Sequence, residues 1–413
     1  MTKPPMLTAQ QALDHLLSHA EPVAEHESIA MQACLGRVLA DNVNSLVDVP
    51  PLDNTSMDGY AVRTADTQNS GSTLKITQRI PAGSVGAELQ AGTAARIFTG
   101  APVPKGADAV VMQEDCTIPE GSVDQVQVNI APTAGQWIRR KGEDLTAGKT
   151  ALTAGTFLRP QELGVAASAG LTHLNVKRRV KVAAFFTGDE LSLPGEPLKP
   201  GGIYNSNRDT LLACLKSLGC DATDLGIVPD RLDATKAALR KASKDHDLII
   251  TSGGVSVGEE DHIKPAVTAE GRLDLWQIAI KPGKPLAFGA VRKSDEPKNG
   301  EAWFIGLPGN PVSSFVTFLL FVRPFILKLQ GRNSLVSQSY MVRADFDWLK
   351  ADRRNEFLRV KLNSDGGLDL FPNQSSGVLT SASWGDGLVD CPANQPIKPG
   401  DLVRYIPFDA LLK

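Results

Sequence analysis

The hydrophobic positions change their period several times along the chain. From Leu7 to His19 apolar residues recur at helical spacing (Leu7, Ala12, Leu16), and a second helix is expected near Ser28 to Ala40. From about Val47 the period shortens. The runs "LKITQRI", "AARIFTG", "AVVMQ" and "VQVNI" are β-like and divided by Gly and Pro turns, which predicts a small β-rich domain ending near Asp144. Helical spacing returns at "RPQELGVAASAG" (Arg159 to Gly170). A helical region of residues 1–46 and 145–178 is therefore expected, interrupted by a β-rich insertion over 47–144.

The clearest alternation begins at Val180. "VKVAAFF" reads as a buried strand, and "SNRDTLLACLKSLG" as a helix with Ser206 as its N-cap and Gly219 as its stop. "ATDLGIV" predicts a second strand, Arg231 to Lys244 a second helix, and "DLIIT" (Asp247 to Thr251) a third strand. "LDLWQIAI", "PLAFGAV" and "AWFIGL" follow as further β runs before a long helix opening at Pro311. This pattern predicts a doubly wound, mostly parallel α/β domain over 179–330, whose ligands lie beyond the carboxyl ends of its strands. From 331 to 413 "SYMVRADFDW", "EFLRVKL", "LDLFP" and "DLVRYIPF" alternate with turns and predict a small β barrel or sandwich. The fold class is thus multidomain, α/β plus β.

Composition narrows the chemistry. With 413 residues, 42% hydrophobic and 22% charged, the chain has the makeup of a multidomain globular protein. A formal net charge of -3 supplies no global field for nucleic acid, so any anion must be caught by a local site. The first twenty residues carry no continuous apolar stretch, and the most apolar run, "FVTFLLFV" (Phe315 to Val322), is too short to span a bilayer. No membrane partner and a cytoplasmic location are expected. Five scattered cysteines (Cys34, Cys116, Cys214, Cys220, Cys391) form no CxxC pair and read as reduced thiols. His15 and His19 lie four apart, but without a neighbouring carboxylate motif they are not read as a zinc site.

Three loops follow strands of the α/β region. In "DLIITSGGVSVGEEDHIK" a strand runs into Ser252, Gly253 and Gly254, small residues that would expose backbone N–H groups to an anion. Glu259, Glu260 and Asp261 follow at once, and carboxylates beside a phosphate cradle suit a bridging divalent cation. A plain glycine turn with an acidic first helical turn is the alternative. "FFTGDELSLPGE" places Thr187, Gly188, Asp189 and Glu190 at the end of the first strand, either as ligands or as a polar strand exit. "FIGLPGNPVSSF" turns from strand to helix, with Asn310 able to cap, Pro311 suited to the first turn, and Ser313 and Ser314 near free amides.

Between them, "IAIKPGKPLAFG" holds Lys281 and Lys284 around Pro282 and Gly283, which oppose a regular helix. Two ammonium groups held together call for a bridging anion, unless both are simply solvated. Basic, acidic and amide groups at one sheet edge suggest a phosphorylated substrate with a metal. The β-rich insertion adds polar turns: "PPLDNTSMDGYAV" with Asp58, "IFTGAPVPKGAD" around Thr99, and "IRRKGED" with Arg139, Arg140, Lys141 and Asp144. That last turn is either an anion funnel or a solvated corner.

Taken in order, "NTSMDGYAV", "IFTGAPVP", "RRKGED", "FFTGDEL", "TSGGVSVGEED", "AIKPGKP" and "GLPGNPVSS" resemble the MoeA family of molybdopterin molybdenumtransferases, relatives of the gephyrin E domain. The resemblance spans nearly the whole chain. Lys141 and Pro229 are small departures, at positions often basic in relatives. It implies an enzyme of molybdenum cofactor biosynthesis that takes adenylylated molybdopterin and molybdate, cleaves the phosphoanhydride with Mg²⁺, and leaves molybdenum cofactor and AMP.

The resemblance further implies a homodimer whose cleft is shared between the α/β domain of one chain and the β-rich domain of its partner. Asp58 and Thr99 would then face the other subunit. Partners expected beyond the pterin nucleotide are a molybdopterin adenylyltransferase and cofactor-receiving proteins. Asp189, Glu190, Asp230 and Asp261 resemble the acidic set, with Glu190, Asp230 and Asp261 for the metal. Lys281 and Lys284 resemble oxyanion contacts, Ser252 and Gly253 with Thr187, Gly188 and Gly254 the phosphate cradle, and Pro308, Pro311 and Ser313 the pocket wall. Arg139 and Asp144 resemble further functional positions. Molybdopterin adenylyltransferase is a rival reading, against which the extra β domains and the acidic "GEED" argue. A dimeric scaffold of the gephyrin type is another.

Overall fold

The computed structural model describes residues 6–255, 262–294, 296, 298 and 300–412. The chain divides into two compact units, one of Met1–Glu27, Gly36–Ala40 and Val176–Lys413, the other of Ser28–Leu35 and Asp41–Asn175.

The larger unit is built on a six-stranded sheet in the order Asp221–Val228, Lys181–Thr187, Leu248–Ser252, Glu301–Leu307, Pro285–Arg292, Gly271–Gln277. The first four strands are mutually parallel, and Pro285–Arg292 is antiparallel to both of its neighbours, Glu301–Leu307 and Gly271–Gln277. Alternation along Lys181–Thr187 explains why it is central. Val182, Ala184 and Phe186 enter one core cluster, while Ala183 and Phe185 enter the cluster on the opposite face. A strand buried on both sides needs such an unbroken apolar run. Helix Ser206–Ser217 covers the first face through Leu211, Cys214 and Leu215, and helices Leu232–Asp245 and Ile263–Glu270 cover the second. Asn205, not Ser206, caps the first of these helices: its Oδ1 accepts from Arg208 N at 3.1 Å, and Ser206 is already helical.

Helix Ala9–His19 buries Ala12 and Leu16 in the same core as Val182 and Phe186. The expected helix from Ser28 to Ala40 does not form. His26–Ala30 is instead a strand paired with His173–Lys177, followed by a short 3₁₀ turn at Met31–Ala33. Pairing satisfies the backbone of a segment that buries no continuous face, and Gly36, at φ +74°, stops the run. Pro311 opens a helical stretch through Leu329 with a π-turn at Phe318–Val322. It is long enough to cross a membrane, yet 89% of its apolar window is enclosed by protein, so it is a core helix here.

Tyr340–Arg343, Leu402–Pro407, Gly387–Cys391, Asn355–Leu362 and Leu368–Leu370 pair in succession. Asp345 N donates to Leu368 O at 3.0 Å and closes the ring into a small barrel. The barrel recruits Ile280–Lys281 from the α/β sequence, parallel to Asn355 and Glu356. Phe357, Leu388, Ile406 and Phe408 extend the α/β core into it.

The smaller unit holds a six-stranded sheet in the order Ala109–Met112, Gly59–Val62, Thr93–Ile97, Ser72–Ile80, Gln125–Val128, Cys116–Thr117. Its two faces bury Tyr60, Val62, Leu74 and Val111 on one side and Ala61, Ile80, Ala95 and Ile97 on the other. Gly59 is required by close approach, because a Cβ there would fall on the Val111 carbonyl.

Candidate functional site

Three parallel strands of the larger unit end together at Thr187, Ser252 and Leu307, and a cleft of about 860 Å³ opens beyond them. Thr187, Gly188, Glu190, Asp230, Ser252, Gly253, Gly254, Lys281, Lys284, Pro308, Pro311 and Ser313 all line it. Asp189 is exposed and is not among the lining residues. Asp261, with Glu259 and Glu260, lies outside the described residues.

The geometry revises the amide cradle. Gly253 N–H already donates to Leu307 O at 3.2 Å. Ser252 Oγ donates to Pro308 O at 2.9 Å and accepts from Asn207 Nδ2 at 2.8 Å, so this hydroxyl pins two strand ends together. Asn207 Nδ2 also donates to Gly309 O at 2.7 Å. The glycines serve closeness more than donation. Gly253 and Gly254 have φ +97° and +63°, and a Cβ on Gly253 would collide with Thr187 O. At Gly188 a Cβ would sit 2.7 Å from Glu190 Oε2, so glycine is what lets that carboxylate fold back over the loop.

Three buried polar atoms of the lining residues have no partner among the described residues: Thr187 Oγ1, Asn205 Nδ2 and Asp230 Oδ1. Asn205 spends its oxygen on Arg208 N, which leaves its amide for the cleft. A hydroxyl, an amide N–H and a carboxylate oxygen left unmatched in one place mark a ligand site, since buried polar groups are otherwise almost always satisfied. Oxygens of Thr187, Glu190 and Asp230 line the cleft, but among the described residues no three His, Cys, Asp or Glu side chains are grouped so as to hold a metal ion.

The two lysines differ from the expectation of an anion-bridged pair. Lys281 Nζ lies 2.9 Å from Glu356 Oε1 and 3.6 Å from Asp352 Oδ2, so protein acids already compensate it. Lys284 is exposed, with no ion pair to any described residue. Asn310 stands at the N-cap position of its helix, but its side chain makes no capping bond; its carbonyl accepts from Ser314 N instead.

The opposite wall comes from the barrel, which the sequence reading did not connect to the site. Arg354, Gln374, Ser375 and Ser376 line the cleft. Arg354 holds Asp352 through Nε at 3.0 Å and Nη2 at 2.9 Å, which keeps that carboxyl far below its usual range. Only the local texture of "DRRNEF" and "PNQSSG", polar turns rich in donors, could have pointed to these residues.

Asp58, Thr99, Arg139 and Asp144 belong to the smaller unit and line no part of this cleft. Asp58 Oδ1 accepts from Thr99 N at 2.8 Å and Thr99 Oγ1 at 2.7 Å, and these bonds, the backbone one foremost, hold its carboxyl below the usual range. Both residues are exposed. In the basic turn Arg140 pairs with Asp53 at 2.7 Å and Lys141 with Asp48 at 3.2 Å. Arg139 is exposed and has no carboxylate partner among the described residues.

Comparison with known proteins places this geometry among relatives. Residues 7–170 match the MoeA N-terminal region (domain I and II), 183–328 the probable molybdopterin binding domain, and 341–408 the MoeA C-terminal region (domain IV). A molybdopterin molybdenumtransferase of Haemophilus influenzae is 42% identical over 328 residues, covering 79% of this chain and 78% of the relative. One of a Nostoc species is 36% identical over 392 residues, covering 92% and 88%. The crystal structure of the molybdopterin biosynthesis moeA protein of Pyrococcus horikoshii OT3 superposes with a TM-score of 0.83 at 28% identity, over 98% of this chain and 100% of that one.

Proposed function

This chain belongs to the MoeA family of molybdopterin molybdenumtransferases and acts by molybdenum insertion in molybdenum cofactor biosynthesis; from there we propose that it takes adenylylated molybdopterin and molybdate in the cleft beyond Thr187, Ser252 and Leu307. The observation that carries this reading is the unmatched set of Thr187 Oγ1, Asn205 Nδ2 and Asp230 Oδ1. Each such atom left dry costs about 1–3 kcal/mol. A phosphate-bearing pterin nucleotide with its cation offers a partner to every one of them.

Attack of water on the phosphoanhydride releases AMP and leaves the pterin phosphate, and molybdate takes the dithiolene sulfurs of the pterin as its displaced oxygen leaves with the thiol protons as water. With the sulfur ligands on the substrate, no protein cysteine is needed for this step. Glu190, Asp230 and Asp261 would hold Mg²⁺, which when bound offsets negative charge on the anhydride oxygens. Lys284, with no ion pair among the described residues, adds an ammonium for an oxyanion, and Lys281, Ser313, Ser375 and Ser376 add donors. A second copy of the chain supplies Asp58, Thr99, Arg139 and Asp144, whose exposed side chains have no role in their own unit's core. In this reading the reaction is cytoplasmic, fed by a molybdopterin adenylyltransferase and drained by cofactor-receiving proteins.

The test is direct. Purified protein mixed with adenylylated molybdopterin, molybdate and Mg²⁺ should release AMP, and Asp230→Asn should slow that release ~100-fold. Consumption of ATP with unmodified molybdopterin would assign the adenylyltransferase reaction instead. An Asp230→Asn protein that releases AMP at the parent rate would reject this site.

A further inference from the structure

Strand Asn355–Leu362 of the barrel carries a carboxylate that is 1% exposed, Glu356. Its two oxygens are fully engaged. Oε1 takes Lys281 Nζ at 2.9 Å, while Oε2 accepts from Trp348 Nε1 at 2.8 Å and Asp352 N at 3.0 Å. The backbone reinforces the pair: Lys281 stands opposite Glu356 in a parallel ladder, and Asn355 N donates to Ala279 O at 2.9 Å. The second acid near Lys281, Asp352, is already clamped by Arg354. A buried carboxylate so thoroughly held cannot follow a ligand; it can only hold something else in place.

We propose that Glu356 is a positioning residue that aims the Lys281 ammonium into the cleft, so that the C-terminal barrel sets the geometry of a group used by the α/β site. This rests on the reading of Lys281 as an oxyanion contact. The Lys281 side chain keeps 40% of its surface open and lines the cleft, whereas Glu356 is sealed behind it. An ammonium has three donors, and Glu356 occupies one of them, fixing the directions of the rest. The pair is neutral as a unit. Lys281 therefore contributes direction, and Lys284, without an acidic partner among the described residues, contributes charge.

Glu356→Gln keeps the shape and one acceptor for Trp348 but removes the charge that orients Lys281. The expected result is a fall in kcat for AMP release of about 10- to 100-fold, the cost of misplacing a reacting group by around an ångström, with the KM for molybdate not raised. In a Lys281→Ala background the same change should alter kcat less than about 2-fold, because the group it positions is gone. A merely structural loss would appear equally in both backgrounds and would overturn the proposal, as would a Glu356→Gln enzyme with the parent kcat beside an impaired Lys281→Ala. Should Lys281→Ala itself release AMP at the parent rate, the reading of that lysine fails, which is a separate outcome. If Glu356→Gln does not fold, Trp348→Phe replaces it in the same cycle. It leaves both charges and frees one carboxylate oxygen, and it should lower kcat several-fold only when Lys281 is present.

Discussion

Asp247 and Asp58 are both carboxylates held ionised, for different ends. Asp247, with 15% of its side chain exposed, takes Arg178 Nη1 at 2.7 Å, Arg178 Nη2 at 2.9 Å and Lys181 N at 2.9 Å. Burial pushes its carboxyl up, yet the guanidinium and the amide outweigh it and the net direction is down. A lowered folded value adds stability above the ordinary carboxylate range that is lost as pH falls through the folded value. Asp247→Asn should therefore cost about 2 kcal/mol in denaturant unfolding at neutral pH, by leaving Arg178 only Glu25, at 3.1 Å, as an acidic partner, and the difference from the parent should shrink in acid. Asp58 lies on the surface, where two donors from Thr99 have no packing purpose. Thr99→Ala removes the hydroxyl donor, so carbon-detected NMR should show the Asp58 carboxyl titrating at higher pH than in the parent.

Elements differ in how far their local pattern decides them. "TSGG" announces a tight exit from a strand, and the exit is there at Ser252–Gly254. Its purpose was not legible, because Gly253 N–H meets Leu307 O, a partner more than fifty residues away. Gly253→Ala should cost about 2 kcal/mol or more, since it forces a Cβ into positive φ and onto Thr187 O. Thermal melting would register that loss, and AMP release should fall with it as the strand ends separate. The segment from Ser28 to Ala40 shows the reverse case: helical spacing without a face to bury yields to a strand pairing that only the fold supplies. Arg359 is legible only in the barrel. It is 1% exposed, donates to Ser381 Oγ and Ser375 O, and burial lowers it to about 10. Arg359→Met should remove the donor to Ser375 O while Gln374 and the Val312 N–H to Ser376 O bond still hold the loop, so AMP release should fall a few-fold with the protein still folded by thermal melting.

At the scale of the whole molecule the question is how many copies complete a site. Asp230 lies in the cleft and Asp58 in the other unit, and under the shared-site reading each variant alone should release AMP about 100-fold more slowly than the parent. Mixed after co-refolding, Asp58→Ala and Asp230→Asn chains would form heterodimers with one intact site of two. Activity should return to about a quarter of the parent, the share set by random pairing into twofold dimers. A mixture that stays at the level of either variant would reject a site in which Asp58 and Asp230 come from different copies. Light scattering of the parent protein, reading a dimer mass, is the companion measurement.

The strand–helix alternation from Lys181 to Ser252, the buried strand from Lys181 to Thr187 and the polar loops that follow it were determined by the sequence alone, because period and apolar runs are local properties. Thr187, Asp230 and Lys284 as groups in one place were not. Convergence depends on which strands lie side by side, and the sheet order is a matter of long-range pairing. The tertiary structure alone decided that Lys281 answers to Glu356 and that barrel residues wall the cleft. A contact across seventy-five residues leaves no mark on either segment, since each is polar for reasons its own neighbours cannot reveal.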